Sequence, residues 1–514
     1  MKKLIYIFLV LGLLSGMSAC YKDKGNYSYS ALEEIKISGL EKTYSKISRV
    51  DKIQIDPQVN VSDPAADLEY LWQINEADAI GSVPKSFTIG HEKKLDYLVN
   101  VDANTYILVF RVKNKKTGYE QMTSSVVTVI TRFTRGWYVF KEEGGKSDID
   151  LFETPTSIIA GNKAANVFSE VNGRQLDGHS MQFSYASDYN GVFNGKTSNF
   201  KAFFAFTDKD ATVVNLNTFK EVRNMNTFFY DVPKVKAPGM ILTGGYGKYF
   251  VNDGGLHIIS TFTFNNGTFG ARLMGDGNNK PYHLSKYYIS HNFNVPLFFD
   301  ELSSSFYSSN TFSSSLDAID DADGTELPAN NNNQKLLYMG QSLLSPLEGY
   351  AILQDKTDPA KKSIAHIEFE GELMIHLQTI KPSDKIYNAT LYTLNNSDEN
   401  LIYFVTADNQ VWSRNLVNGV EQLQYTPPSG ETVTYIRHRK YTAYTAPASE
   451  QPFKFNLIMV GTTSGGKYKV RMFEKTAGNL NANPAFVMEG DGTVSDVIYM
   501  SPSLRPSEEL VWSY

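Results

Sequence analysis

Residues 401–415 read LIYFVTADNQVWSRN: five apolar residues, a polar turn at Asp408-Asn409, and a second run through Val411 and Trp412. An apolar run of five is too short for a helix and suits a buried strand. Asp and Asn supply the positive φ that a tight hairpin needs. The stretch therefore reads as strand, turn, strand.

Related units occur along the chain. Gly136-Trp137-Tyr138-Val139-Phe140 leads to Ile149-Asp150-Leu151-Phe152, and Ala202-Phe203-Phe204-Ala205-Phe206 to Thr212-Val213-Val214. Lys248–Val251 leads to Leu256–Ile259, Leu297–Asp300 to Phe306-Tyr307, Tyr350–Leu353 to Ile364–Ile367, and Leu457–Val460 to Tyr468–Val470. Anchored at residues 137, 203, 249, 297, 351, 402 and 457, they recur about every fifty residues, the size of one four-stranded propeller blade. Residues 132–514 are therefore expected to form a seven-bladed β-propeller, with six or eight blades, or an open two-sheet protein, as alternatives. Glu509–Tyr514 reads as the strand that closes the ring.

Ahead of the array lie short alternating runs at Ile53–Val61, Leu68–Ile74, Leu95–Val101, Thr105–Lys113 and Gln121–Thr131, with weaker ones at Glu34–Ile37 and Phe87–Ile89. About seven strands in a hundred residues is the pattern of a β-sandwich. The fold class is all-β, with a sandwich over 27–131. Tyr106, Leu108, Phe110 and Val112 are expected to face its core.

The N-terminus carries a location signal. Lys2 and Lys3 precede an apolar run, Leu4–Leu14, which is too short to span a bilayer. Small residues follow, then Cys20, the only cysteine of 514 residues. Met17-Ser18-Ala19-Cys20 resembles a bacterial lipobox. That resemblance implies a signal peptide over 1–19, lipidation of Cys20 and a tether over 20–26. Several acyl chains on one residue anchor stably, at ~0.8 kcal/mol per buried CH₂. With no second cysteine, no intrachain disulfide can form. A net charge of −6 offers no electrostatic footprint for nucleic acid.

Tyr70–Ile74 and Tyr106–Val112 resemble the strands of a PKD-type Ig-like domain, with Trp72 as its core tryptophan, although the Trp-Asp-Phe-Gly-Asp signature is absent. Together with Cys20–Tyr27, Arg135–Phe140 and Pro296–Asp300, the chain resembles the PKD-like lipoproteins of Gram-negative gut-type bacteria. The resemblance implies a surface-exposed outer-membrane lipoprotein held by lipid on Cys20. It also implies an accessory role beside a SusC-like transporter and a SusD-like lipoprotein in nutrient uptake, with a glycan or peptide ligand. The alternative is a propeller-fold hydrolase or lyase acting on extracellular polymers.

No catalytic residue, metal site or cofactor emerges. Gly178–Gln182 lacks the final glycine of a nucleophile elbow. The acids of Asp317–Glu326 miss the register of a calcium loop. No histidine pair has metal spacing on a helix; His257 and His366 read as structural, and His283 and His291 as a remote zinc pair. Asp300 and Asp355 are strand-end acids that could converge. Ser184–Asn199, SYASDYNGVFNGKTSN, reads as a polar loop in which Tyr185, Tyr189 and Phe193 are the candidate binding residues.

Overall fold

A computed structural model of the protein describes residues 33–77, 85–193, 196–243, 247–260, 266–276, 280–290, 295–342, 348–395, 399–442, 448–502 and 504. Cys20 and the stretch before it that resembles a lipobox lie outside them. Two compact units are present, the second beginning in the main at residue 128.

The first unit is a sandwich. One sheet runs in the order Thr43–Ile47, Glu120–Ile130, Asn104–Asn114, Leu68–Glu76, Ser86–Gly90. Two short ladders, Ile35–Ser38 with Gln58–Val61 and Lys52–Ile55 with Leu95–Leu98, complete it. The run 53–61 divides in two at Asp56-Pro57, where Pro has no N–H to give a ladder. Tyr106, Leu108, Phe110 and Val112 are buried, as their alternation requires. Trp72 is wholly buried, its ring 4.1 Å from that of Phe110, and its indole N–H donates to Glu92 O at 3.0 Å. That bond removes the penalty of burying an indole N–H.

The second unit contains, among the described residues, seven sheets of three to five strands in chain order. Each repeat unit read from the sequence is a hairpin forming the second and third strands of one sheet. These strands are apolar on both faces because neighbouring sheets cover both. In Gly247–Asn252 and Leu297–Asp300 every residue is buried.

The first strands of the sheets stand at the centre. They are Thr493–Met500, Ser180–Phe193, Pro238–Thr243, Leu284–Ile289, Gln334–Ser342, Leu391–Leu394 and Thr432–Tyr441, for sheets 1 to 7. Each neighbours the next, and the last neighbours the first. This closed order makes the unit a β-propeller. Side chains hold inner strands together: the Gln182 amide donates to Ile241 O at 3.2 Å and accepts from Ile241 N–H at 3.3 Å.

The ring closes differently from the expectation. Thr493–Met500 pairs antiparallel with Gly136–Glu143, Trp137 opposite Tyr499 and Phe140 opposite Asp496, so the C-terminal part of the chain supplies the inner strand of sheet 1. Residues 509–514 lie outside the described residues. Val494, Val497, Ile498 and Met500 are buried, giving this strand the apolar drive that closure needs.

Candidate functional site

The closed ring leaves a cavity of about 300 Å³ on its axis, to which all seven inner strands contribute residues. Sheet 2 supplies Ser180–Gln182, sheet 4 Lys286 and Tyr287, sheet 5 Tyr338, sheet 6 Tyr392, sheet 7 Thr434–Arg437, and sheet 1 Thr493–Ser495. Met181, Gly239, Lys286 and Tyr287 also border a groove of about 500 Å³ running over sheets 3 to 5, where Asp253, His283, Glu301 and Lys335 stand. Lys286 thus sits where the two spaces meet.

Four tyrosines stand along the axial wall: Tyr287 and Tyr392 are partly exposed, while Tyr338 and Tyr435 are buried behind it. The Tyr338 and Tyr392 rings lie 5.5 Å apart and 28° from parallel, and Tyr287 meets Tyr338 edge-on at 5.5 Å. Burial raises the pKa of Tyr287, Tyr338 and Tyr392, and burial with the nearby Asp496 pushes Tyr435 up to about 12. All four are therefore neutral phenols at physiological pH. Tyr392 Oη–H donates to Ala389 O at 2.9 Å, so its ring is what it presents.

Two cations share the wall. The Lys286 ammonium lies 5.2 Å from the centre of the Tyr287 ring, and the Arg437 guanidinium 5.8 Å from that of Tyr435. Burial first, and then the charge of Arg437, lower the Lys286 pKa, while Glu301 in the groove opposes them. The described residues lining the axial cavity include no Asp, Glu or His.

The residues singled out from sequence lie elsewhere. Ser184–Asn199 is not a loop: its residues fall in two paired strands, Ser180–Phe193 and Lys196–Thr207, bulged between Ala186 and Tyr189. The bulge breaks the alternation that would have marked a strand. Tyr185 and Tyr189 are buried; Tyr185 Oη–H donates to Leu504 O at 3.3 Å and Tyr189 Oη–H to Gly267 O at 2.5 Å. They are placed as core residues. Phe193 ends the strand, and its side chain lies outside the described residues.

Asp300 and Asp355 do not converge. Asp300 accepts from the N–H groups of His283, Leu302 and Ser303, and Asp355 from those of Thr357 and Asp358, so each caps its own turn. Ser180 begins an inner strand with its hydroxyl 2.7 Å from that of Ser495, in no nucleophile elbow. His257 is buried with Nδ1 2.9 Å from Gly270 O. His283 stands in the groove, and His291 lies outside the described residues.

His366 has company that linear spacing hides. Glu348 pairs opposite Glu368 across two strands, and His366 lies between them, Nε2 3.3 Å from Glu348 and Nδ1 3.7 Å from Glu368. One ligand atom from each residue falls within 4.8 Å of the others, the one group of three among the described residues that could hold a metal ion. All three are partly exposed, and the arrangement serves equally as an ion-pair cluster.

A model of the PKD-like family matches residues 20–180. No curated protein matches the chain. Among solved structures, the chain is similar to a quinonprotein alcohol dehydrogenase-like protein of Bacteroides thetaiotaomicron, at 13% identity, covering 89% of this chain and 97% of that one with a TM-score of 0.38. It is also similar to the Cps50 (Swd1) β-propeller domain of Myceliophteria thermophila, at 9% identity over 57% of this chain and 84% of that one, TM-score 0.36. A structural genomics protein of unknown function from Bacteroides thetaiotaomicron matches at 11% identity over 86% of this chain and 96% of that one, TM-score 0.28. The propeller assignment rests on the closed order of the inner strands.

Proposed function

We propose that this protein is a lipid-anchored, surface-exposed outer-membrane lipoprotein. It captures glycan or peptide as an accessory of a SusC/SusD-type uptake system. Lipid on Cys20 would hold it, the sandwich would space it from the membrane, and a seven-bladed propeller would present the axial cavity. The observation that carries this reading is the cavity wall: four tyrosines and two cations from the inner strands, opening to a groove. Concave sites with aromatic walls and a few polar groups are the usual ligand seats. Tyrosine adds contact area at low entropic cost, since only two side-chain torsions are fixed. Binding would be reversible and would raise the ligand concentration at the transporter, with no covalent step. The lipobox and the match to the PKD-like family support the surface placement.

Two measurements test it. Intact protein drawn from gently solubilised outer membranes is expected to bring a TonB-dependent transporter and a SusD-like lipoprotein with it. Purified protein is expected to retain members of a glycan and peptide panel, and Tyr392→Ala to weaken that retention. Recovery of the protein alone, with no retention of any panel member, would sink the reading.

A further inference from the structure

We infer that Glu348, His366 and Glu368 of sheet 5, with His376 beside them, form a site for a divalent transition-metal ion such as zinc. None of the four lines the axial cavity or the groove, so the site is independent of the binding reading above.

Three adjacent strands bring the residues together. Glu348–Asp355 pairs antiparallel with Lys362–Phe369, setting Glu348 opposite Glu368 and Tyr350 opposite His366. Lys362–Phe369 pairs in turn with Glu372–Ile380, setting His366 opposite His376. Directly opposed residues project to one face of a sheet, and so do residues two apart along a strand. All four therefore share a face, in two neighbouring rows. The intervening Ala351, Ala365, Ile367 and Ile375 are buried on the other face. Across its own row the His366 ring stacks on Tyr350 at 4.7 Å and on His376 at 6.4 Å, 20° and 29° from parallel, which holds its plane.

Two observations favour a bound ion over an ion pair. The first is His366 Nε2, which stands 3.3 Å from Glu348 Oε2 yet is shielded from solvent and has no hydrogen-bond partner among the described residues. An unpaired buried nitrogen is costly, and coordination would use its lone pair. Bonds of about 2.0–2.2 Å to zinc set tetrahedral donor atoms roughly 3.3–3.6 Å apart, which this contact matches. Glu368 adds a third donor atom, all three within 4.8 Å of one another. The second observation is charge. Glu348 and Glu368 face each other across the ladder, where like charges repel, and His366 is the one basic side chain that meets either among the described residues. A divalent ion would neutralise both. Imidazole nitrogen suits zinc and its neighbours, whereas calcium and magnesium take oxygen donors. His376 is exposed and makes no hydrogen bond through its ring among the described residues, so it is placed to turn in as a fourth donor. The other three side chains are 28–44% exposed, and their rotation admits the ion.

The test uses the full chain in detergent, without a histidine tag and stripped with EDTA, titrated calorimetrically with zinc chloride, calcium chloride and magnesium chloride. Zinc is expected to bind at least tenfold more tightly than calcium or magnesium and to raise the melting temperature, since an ion held by the folded state alone stabilises it. His366→Gln and Glu348→Gln are each expected to weaken zinc binding at least tenfold and to abolish that rise. Glu368→Gln is expected to do the same while matching the parent's melting temperature in EDTA, which keeps the test decisive if His366→Gln does not fold. No zinc binding, equal binding of calcium, or undiminished zinc binding by Glu348→Gln and Glu368→Gln would overturn the inference. Each of these outcomes leaves the retention of glycan or peptide at the axial cavity untouched, so the two readings fail separately.

Discussion

At the seam where sheet 1 meets sheet 7, three carboxylates are buried, and each meets its cation. Asp150, with none of its surface exposed, takes Lys141 at 2.9 Å, Lys163 at 3.0 Å and the Tyr468 hydroxyl at 2.7 Å. Asp496 takes Arg439 and Tyr435. Glu450 takes Arg135 at 2.5 Å, Ser501 at 2.5 Å and Tyr441 at 3.2 Å. The axial cavity reverses this: two cations, and no carboxylate among the described lining residues. Charge that holds the ring shut is matched inside the protein, because an unmatched buried charge would open it.

The seam should therefore be the costlier place to disturb. Asp496→Ala removes the carboxylate partner of the buried Arg439, one acceptor of Tyr435, and the acceptor of two N–H groups. Breaking one partner of a buried pair costs about 3–5 kcal/mol, so the unfolding free energy from denaturant titration should fall by about that amount. A loss below ~1 kcal/mol would mean that closure rests on strand pairing and apolar packing alone.

Acid probes the same seam. Burial pushes the Asp150 carboxyl up, but Lys141, the Tyr468 hydroxyl and the Asn166 N–H together pull it below its ordinary value. With the folded pKa below the unfolded one, the stabilisation is fully present above the unfolded value of about 4 and is lost as pH falls through the folded one. Asp150→Asn should flatten this part of the stability profile below pH ~4. Tyr468→Phe should cost about 1.5–3 kcal/mol at neutral pH, the worth of a hydrogen bond to a charged group, and shrink the acid-side loss. An unchanged profile in both variants would remove Asp150 from the seam's energetics.

What could be read from sequence follows the same division. The second and third strands were legible because both faces are buried, which leaves uninterrupted runs such as LIYFV. Inner strands were not, because one end borders the cavity and carries polar residues. Thr432–Tyr441, TVTYIRHRKY, has no apolar run, and most of Ser180–Phe193 falls in the stretch from Ser184 to Asn199 that reads as a loop. In Thr432–Tyr441, Thr434 and Arg437 both break the apolar run and line the cavity. A signal remained in the period-two spacing of Tyr435, Arg437 and Arg439, which sets them on one face of a strand. The seam acids had no signal, since Asp150 and its partner Tyr468 are 318 residues apart.

Lys286 sharpens the comparison with the opposite sign. Its side chain is exposed, and its folded pKa lies below the ordinary lysine value, so its charged form disfavours folding only weakly below that pKa, and the cost is relieved as pH rises past the unfolded value. Lys286→Met should therefore leave the melting temperature unchanged or slightly raised in a thermal unfolding scan at neutral pH. A fall in melting temperature comparable to that of Asp496→Ala would instead make Lys286 structural.

The smallest effect is expected at Glu348, His366 and Glu368, where the same residue types meet with water at hand. Their side chains are 32%, 28% and 44% exposed, against 0–2% for the seam carboxylates. Glu368→Gln removes a contact with His366 but also relieves Glu368 of facing Glu348 across the strand pair, where like charges repel. These opposing terms, each screened by solvent, should leave unfolding within ~0.5 kcal/mol of the parent, and 0.5 M salt should narrow the difference further. The unfolding midpoint of Glu368→Gln at two salt concentrations measures this. A loss above ~1 kcal/mol would break the rule drawn from the seam and the cavity, that burial rather than residue type decides what a charge does for this fold.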